Sequence, residues 1–390
     1  MSFVGQKKHL VFFCEHLESG GAAQAQIDFL TSIDPNKYQL SLVLERSPSS
    51  DNHLFSQIPK NVAVRTLFPE NSNFPQKYNS LFWNFLRCRS EKFDKILRIK
   101  EVLSTLPKAD CLIGFTLTYP KYLPFFRKQY KLVYWVHGPC TKWSKGDLRK
   151  FYRRILPFDQ LITVSHVLEE HIKDFFPRVS NRVRTVYTPI NYEKIRSEAD
   201  DFSELTALEQ KLIGQKYYVA VARFVPEKDF VTVFKAFKIL KEKNFNLKLV
   251  VVGDGTDRKK LERSLEDLSL QGCVSLVGMK RNPYVWMKHS QGFIHSAITE
   301  GFGLVMVEAM TLGKAVIATD CPVGPAEVLK NGEFGILIKV GDDRNLAEKI
   351  IELESKASLK QRYELKSLER ASYFSKERIL PEFYEIIDSL

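Results

Sequence analysis

The sequence predicts an α/β protein of two Rossmann-like, doubly wound parallel-sheet domains that face each other across a ligand cleft. Three observations carry that expectation. The chain has 390 residues, more than one ordinary hydrophobic core accommodates. Short β-branched and aromatic runs alternate with longer helical patterns along most of its length. The alternation breaks at a polar stretch from about Asn191 to Gly214, which contains Glu198, Asp200, Asp201 and Glu204, and restarts at Tyr217. With 44% hydrophobic and 27% charged residues, the composition excludes disordered, collagen-like and coiled-coil chains.

In order, Leu10–Cys14, Gln39–Leu44, Val62–Thr66, Cys111–Phe115, Leu132–Val136, Leu161–Val164 and Val183–Tyr187 read as buried parallel strands. A helical pattern from Ala22 to Ser32 follows the first of them across the Ser19-Gly20-Gly21 turn. The polar stretch reads as a linker. Strands are then expected at Tyr217–Ala222, Leu247–Val252, Val274–Val277, Phe293–Ser296, Ala315–Ala318 and Gly335–Ile338. An amphipathic helix closes the chain from Ser375 to Leu390. The expected domains are residues 1–195 and 210–374, with 375–390 packing back on the first.

Six cysteines are scattered without a Cys-x-x-Cys pair, which argues against a zinc site or disulfide framework and for reduced thiols in a cytoplasm. The apolar run after Lys7 and Lys8 meets Glu15 too soon for a signal peptide. No stretch reaches the roughly 18 apolar residues of a spanning helix. A cytoplasmic protein follows, with any membrane contact peripheral. The charge is uneven: 58 basic against 46 acidic residues give +12, yet residues 77–154 alone hold eighteen basic and five acidic side chains, a net of +13. Phe82, Trp83, Phe85, Tyr119, Tyr122, Phe125, Phe126, Tyr134, Trp135 and Trp143 interleave with them. A solvated surface explains scattered lysines. Basic residues concentrated among large aromatics fit better a face that meets anionic headgroups or a phosphorylated acceptor.

The run from Thr299 to Met310 (TEGFGLVMVEAM) follows a strand and opens a helix. Glycines at such a turn let the backbone approach a ligand, and the free amides of a helix start attract phosphate. Glu308 would then lie in the helix's first turns, placed to accept from ribose hydroxyls, and Glu300 in the turn itself. Isolated glutamates at a helix entry are usually solvated and stabilised by the dipole. Two of them flanking a Gly-rich start make that reading weaker.

The two glutamates separated by seven residues, Glu300 and Glu308, resemble the signature of retaining glycosyltransferases of family 4, which have the GT-B fold. Ala222–Lys228 (ARFVPEK) resembles that family's Arg and Lys pair, Val251–Gly255 its strand-end glycine turn, and Asp320–Glu327 its late loop. In the first domain the resemblance rests on Gly20-Gly21, His137-Gly138 and Val164-Ser165. It departs at Thr188-Pro189-Ile190-Asn191, where the family often has Asn-Pro or Pro-Asn-Gly, a position at the expected hinge.

The resemblance implies a UDP-sugar as donor substrate, with no cofactor and no metal. Arg223 and Lys228 would stabilise the leaving diphosphate in place of a metal ion, and the chain has no Asp-x-Asp pair. Glu300, Phe302, Gly303 and Leu304 would hold sugar and phosphate, and Glu308 the ribose. Gly21 would present amides to the diphosphate, and His137 would touch the donor sugar. Arg223 and Lys228 taken alone are an ordinary surface pair, Gly20-Gly21 a tight turn, and a lone histidine more often a structural hydrogen-bonder. The acceptor is expected to be a glycan, lipid-linked or of lipopolysaccharide or capsule type, met at an anionic membrane surface. The rival readings are a nucleic-acid-binding protein, for which no recognised motif is found, and an inactive nucleotide-binding partner of the same fold.

Overall fold

The computed structural model of the chain describes residues 7–15, 17, 20–47, 52–68, 81–115, 119–138 and 144–390, with side chains of the helix Leu81–Ser104 described from residue 92 onward. Ser19, Lys77, Cys140, Trp143 and the side chains of Phe82, Trp83, Phe85 and Cys88 lie outside the described residues. The chain divides into two compact units, Met1–Tyr187 with Leu380–Leu390, and Thr188–Ile379.

The first unit is built on seven parallel strands, β1 (Lys8–Cys14), β2 (Tyr38–Arg46), β3 (Ala63–Phe68), β4 (Cys111–Gly114), β5 (Lys131–Val136), β6 (Gln160–Thr163) and β7 (Val183–Thr185). Their order is β3-β2-β1-β4-β5-β6-β7, so the winding reverses between β1 and β4, where Leu10 pairs with both Leu40 and Cys111. The second unit repeats the scheme with β8 (Tyr217–Val221), β9 (Lys248–Val252), β10 (Val274–Gly278), β11 (Phe293–His295), β12 (Val316–Thr319) and β13 (Ile336–Ile338), again all parallel. Its order, β10-β9-β8-β11-β12-β13, reverses between β8 and β11. The α/β class with two doubly wound sheets is therefore observed, and each expected strand is present with ends within two residues.

Strands covered on both faces must be apolar throughout, and Leu10, Val11, Phe12 and Phe13 are all fully buried. In the second unit the helix Phe230–Glu242 presents Phe230, Val233, Phe234, Phe237 and Leu240 to the core at helical spacing. Burial of each such side chain contributes roughly 1.5–3 kcal/mol. Asp229 starts the helix from a left-handed backbone (φ 42°), and its carboxylate accepts from the Thr232 amide and hydroxyl.

Three sequence expectations change. The polar stretch 191–214 is folded, not an open linker: it forms the helices Tyr192–Glu198 and Ala207–Ile213, the second closed by a capping box between Thr206 and Glu209. Two of its charges are paired across the unit, Asp200 with Lys288 and Glu209 with Lys280. The unit boundary falls at Thr188, ahead of the expected residue 195, because the Ile190 amide donates to Phe374 O at 2.9 Å and the Tyr192 hydroxyl to Ala371 O. Finally, most described aromatics of the basic segment face inward. Tyr134 and Trp135 are at most 1% exposed because β5 is a central strand, Tyr119 is fully buried in the turn after β4, and Phe93 and Phe125, at 64% and 59%, are the widely exposed ones among them.

The closing helix spans Lys376–Asp388, and its part from Leu380 onward belongs to the first unit. Phe383 packs edge-on to Phe29 and stacks near Trp135, with ring centroids 5.7 and 5.9 Å apart. Lys8 Nζ caps its last turn at Ile387 O, and the Tyr38 hydroxyl donates to Asp388 at 2.6 Å.

Candidate active site

In an open α/β sheet the carboxyl ends of the strands flanking the reversal diverge and leave a crevice. In the second unit those strands are β8 and β11, and the loops that follow them carry Arg223 with Lys228, and Glu300, respectively. The two loops are bonded to each other: Ser296 Oγ donates to Lys228 O at 2.6 Å, and the Ile298 amide to Glu227 O at 2.8 Å. Topology thus brings together residues 72 positions apart in the chain.

Glu300 is the electrostatic centre of the crevice. Its Oε1 is in an ion pair with Lys228 Nζ and lies 3.2 Å from His295 Nε2, while Oε2 accepts from the Gly301 amide at 3.3 Å. All three side chains are largely buried, His295 at 3% exposure. Burial alone would raise the Glu300 pKa; the contact with His295 and then the charge of Lys228 outweigh it and hold the carboxyl at about 2. The group is a permanent anion under physiological conditions.

The next turn delivers the helix Leu304–Thr311. Apart from Glu308 and Thr311 it is apolar, as a core helix must be, and Met306, Val307, Ala309 and Met310 are fully buried. Its cap residue Gly303 has φ 91°, and no cap side chain accepts the first amides. Gly324, at φ 99°, seats the late loop on this turn: a Cβ there would meet Phe302 O at 2.5 Å. Phe302 is buried at 6% exposure, edge-on to Phe374 at 5.4 Å. Glu308 stands in the middle of the helix at 8% exposure.

Arg223 is exposed, and its side chain forms no hydrogen bond or ion pair among the described residues. Its loop is held from the β9 side, where Phe224 N donates to Asp254 O and Asp257 N to Phe224 O, at 2.8 and 2.9 Å. The strand-end turn Val251–Gly255 therefore supports the Arg223 loop. The structure places Lys228 differently from Arg223, on Glu300.

In the first unit, Gly21 is the first residue of the helix Gly21–Ser32, and neither it nor its cap Gly20 has a heavy atom near an added Cβ among the described residues. The backbone is open there. His137 follows β5 and is sandwiched by aromatics, 4.5 Å from the Phe115 ring and stacked at 15° on Trp135. Burial depresses its pKa to about 4, against a bond to the Phe115 backbone that works the other way, so the ring is neutral at pH 7. Its Nε2 is buried without a partner among the described residues.

His295 is the site residue that sequence reading missed. The available signal was a histidine at the carboxyl end of an apolar strand, five residues before Glu300. Among the described residues no group of three or more His, Cys, Asp or Glu side chains is placed to hold a metal ion, and no helix is long and apolar enough to cross a membrane.

Two doubly wound parallel sheets, the second with the Lys228–Glu300 pair at its reversal, place the chain in the GT-B fold class. Residues 205–370, most of the second unit, match the family described as "Glycosyl transferases group 1". An uncharacterized glycosyltransferase of Methanocaldococcus jannaschii is 26% identical over 66% of this chain and 72% of its own length. The N-acetylgalactosamine-N,N'-diacetylbacillosaminyl-diphospho-undecaprenol 4-alpha-N-acetylgalactosaminyltransferase of Campylobacter jejuni is 28% identical over half of each chain. Among solved structures, Anabaena HepE in complex with UDP and glucose has a TM-score of 0.79 and 20% identity, covering 98% of this chain and all of that one.

Proposed function

We propose that the chain is a retaining glycosyltransferase of family 4 type that moves a hexose or N-acetylhexosamine from a UDP-sugar to a glycan acceptor without a metal ion. The observation that carries this reading is the buried, ionised Glu300 between Lys228 and His295, beside the Gly303 helix start. A fixed anion there can accept from sugar hydroxyls, and the helix start and Arg223 can take the diphosphate. Arriving phosphate oxygens compete with Glu300 for Lys228, so the same lysine can follow the charge that develops on the leaving group.

Retention is supported by the relative that forms a 4-alpha linkage, since transfer from an α-linked nucleotide sugar to an α-linked product keeps the anomer. That relative's diphospho-undecaprenol acceptor supports a lipid-linked, cell-envelope acceptor for this chain, taken by its basic first unit at the cytoplasmic face of a membrane. Nucleic acid has no part in the proposed reaction.

The test is a panel of UDP-sugars screened by thermal shift and then by transfer to lipid-linked acceptors, with the product anomer read by NMR. A tight donor must raise the melting temperature by mass action. An inverted anomer would overturn the retaining assignment. Activity is expected to survive a chelator; loss that magnesium or manganese restores overturns the metal-free assignment.

A further inference from the structure

The first unit carries a recess of about 650 Å³. It is lined by Lys92 from the helix Leu81–Ser104, by Lys121, Tyr122 and Phe125 from the turns after β4, and by Arg153 and Arg154 at the end of the helix Lys145–Ile155. Prolines complete the wall, and no acidic side chain lines it. None of its four cations forms an ion pair among the described residues. Lys95, one turn beyond Lys92, differs: it is 6% exposed and paired with Glu45 at 2.5 Å. The fold neutralises the cation it buries for structure and gives these four no such direct partner among the described residues. Lys121 is held below the usual amine range by partial burial and by repulsion from Arg154 and Lys95, against the weaker pull of Glu15 and Glu45.

Phe125, in its wall, is 59% exposed with Lys92 Nζ 4.9 Å from its ring centre, and the helix that supplies Lys92 also exposes Phe93 and Leu97, at 64% and 47%, one turn apart on a neighbouring face. Large exposed aromatics beside cations without a direct ion pair suit a boundary between water and hydrocarbon, where rings enter the interface and cations stay at phosphate depth. Arginine forks match phosphate oxygens in pairs. The exposed Arg149 and Lys150 extend the positive face along the adjoining helix, opposed there by Asp147.

We propose that this recess docks the first unit on an anionic bilayer, with Lys92, Lys121, Arg153 and Arg154 taking phospholipid phosphates and Phe125 and Phe93 entering the interface. The proposal rests on the transferase reading for its purpose, which is to bring the chain to a lipid-linked acceptor, and its test reads binding instead of transfer.

Flotation of the full chain with phosphatidylglycerol–phosphatidylcholine vesicles is expected to recover it at low salt and to weaken with added salt, while phosphatidylcholine alone recovers little. The double variant Arg153→Glu/Arg154→Glu is expected to lose at least about tenfold in partitioning. Phe125→Ser should weaken binding even at low salt. The milder Arg153→Gln/Arg154→Gln double variant serves if charge reversal impairs folding, and a cooperative melting transition followed by circular dichroism reports on folding in every case. Equal binding by wild type and variants, or equal recovery with neutral vesicles, overturns the proposal. So does a wild type that ignores vesicles while inorganic phosphate or glycerol phosphate shifts its melting temperature through these residues. Docking without sugar transfer would sink only the transferase reading; transfer without docking would sink only this one.

Discussion

His295 Nε2 and Lys228 Nζ converge on one oxygen of Glu300, Oε1, with His295 at 3.2 Å. A lysine ammonium and an imidazole nitrogen from different strand ends thus define where a negative charge sits in the second unit, and the other oxygen is tied to the Gly301 amide. The carboxylate's orientation is set before any ligand arrives.

Glu300 titrates at about 2 in the folded chain, against 4.5 for the free side chain. Its folded value is depressed, so its stabilisation is complete above about 4.5 and is lost as the pH falls toward 2, on the order of 3 kcal/mol in all. Denaturant unfolding of wild type and Glu300→Gln across that window should show a stability gap that narrows with falling pH. A gap independent of pH would contradict the assignment.

His295 acts through Glu300 and is a positioning residue. His295→Asn should lower kcat/KM and move the acid limb of its pH profile toward higher pH, because Glu300 loses one of two partners that favour its ionised form. Reduced activity with an unmoved acid limb would reduce His295 to packing.

Arg223→Ala should cut transfer by about 10²–10³-fold with an unchanged melting temperature, since the exposed side chain supports nothing in the fold. Glu308→Ala should cost similar activity while weakening UDP binding measured by calorimetry. Near-wild-type turnover in either purified variant rejects its role.

Gly324→Ala forces a side chain against Phe302 O in a left-handed backbone. It should destabilise the chain by about 1–3 kcal/mol and raise the donor KM by displacing the Gly303 turn, a pairing that calorimetry and steady-state kinetics can check.

Strand identity was legible in the sequence because parallel strands covered on both faces must be continuously apolar, and runs such as Leu10–Cys14 and Leu249–Val252 leave little choice. The Gly-rich helix start at Gly303 was legible for the same local reason: the backbone conformation needed there restricts the residue. Partnerships were not legible. Lys228 read as a diphosphate ligand beside Arg223, and His295 read as part of a strand, because ion pairs across 72 residues have no period or spacing in the chain. The polar stretch 191–214 read as a linker because its helices draw stability from caps and partners such as Lys280 and Lys288, which lie far along the sequence. Tyr134 and Trp135 read both as part of a buried strand and as aromatics of the basic face, and sheet order settled the first by placing β5 in the interior. The sequence by itself determined which segments are strands, where the winding restarts, and which turns need glycine, since each follows from local burial and backbone sterics. Tertiary structure decided which charges meet, because that depends on the sheet reversal that sets β8 beside β11.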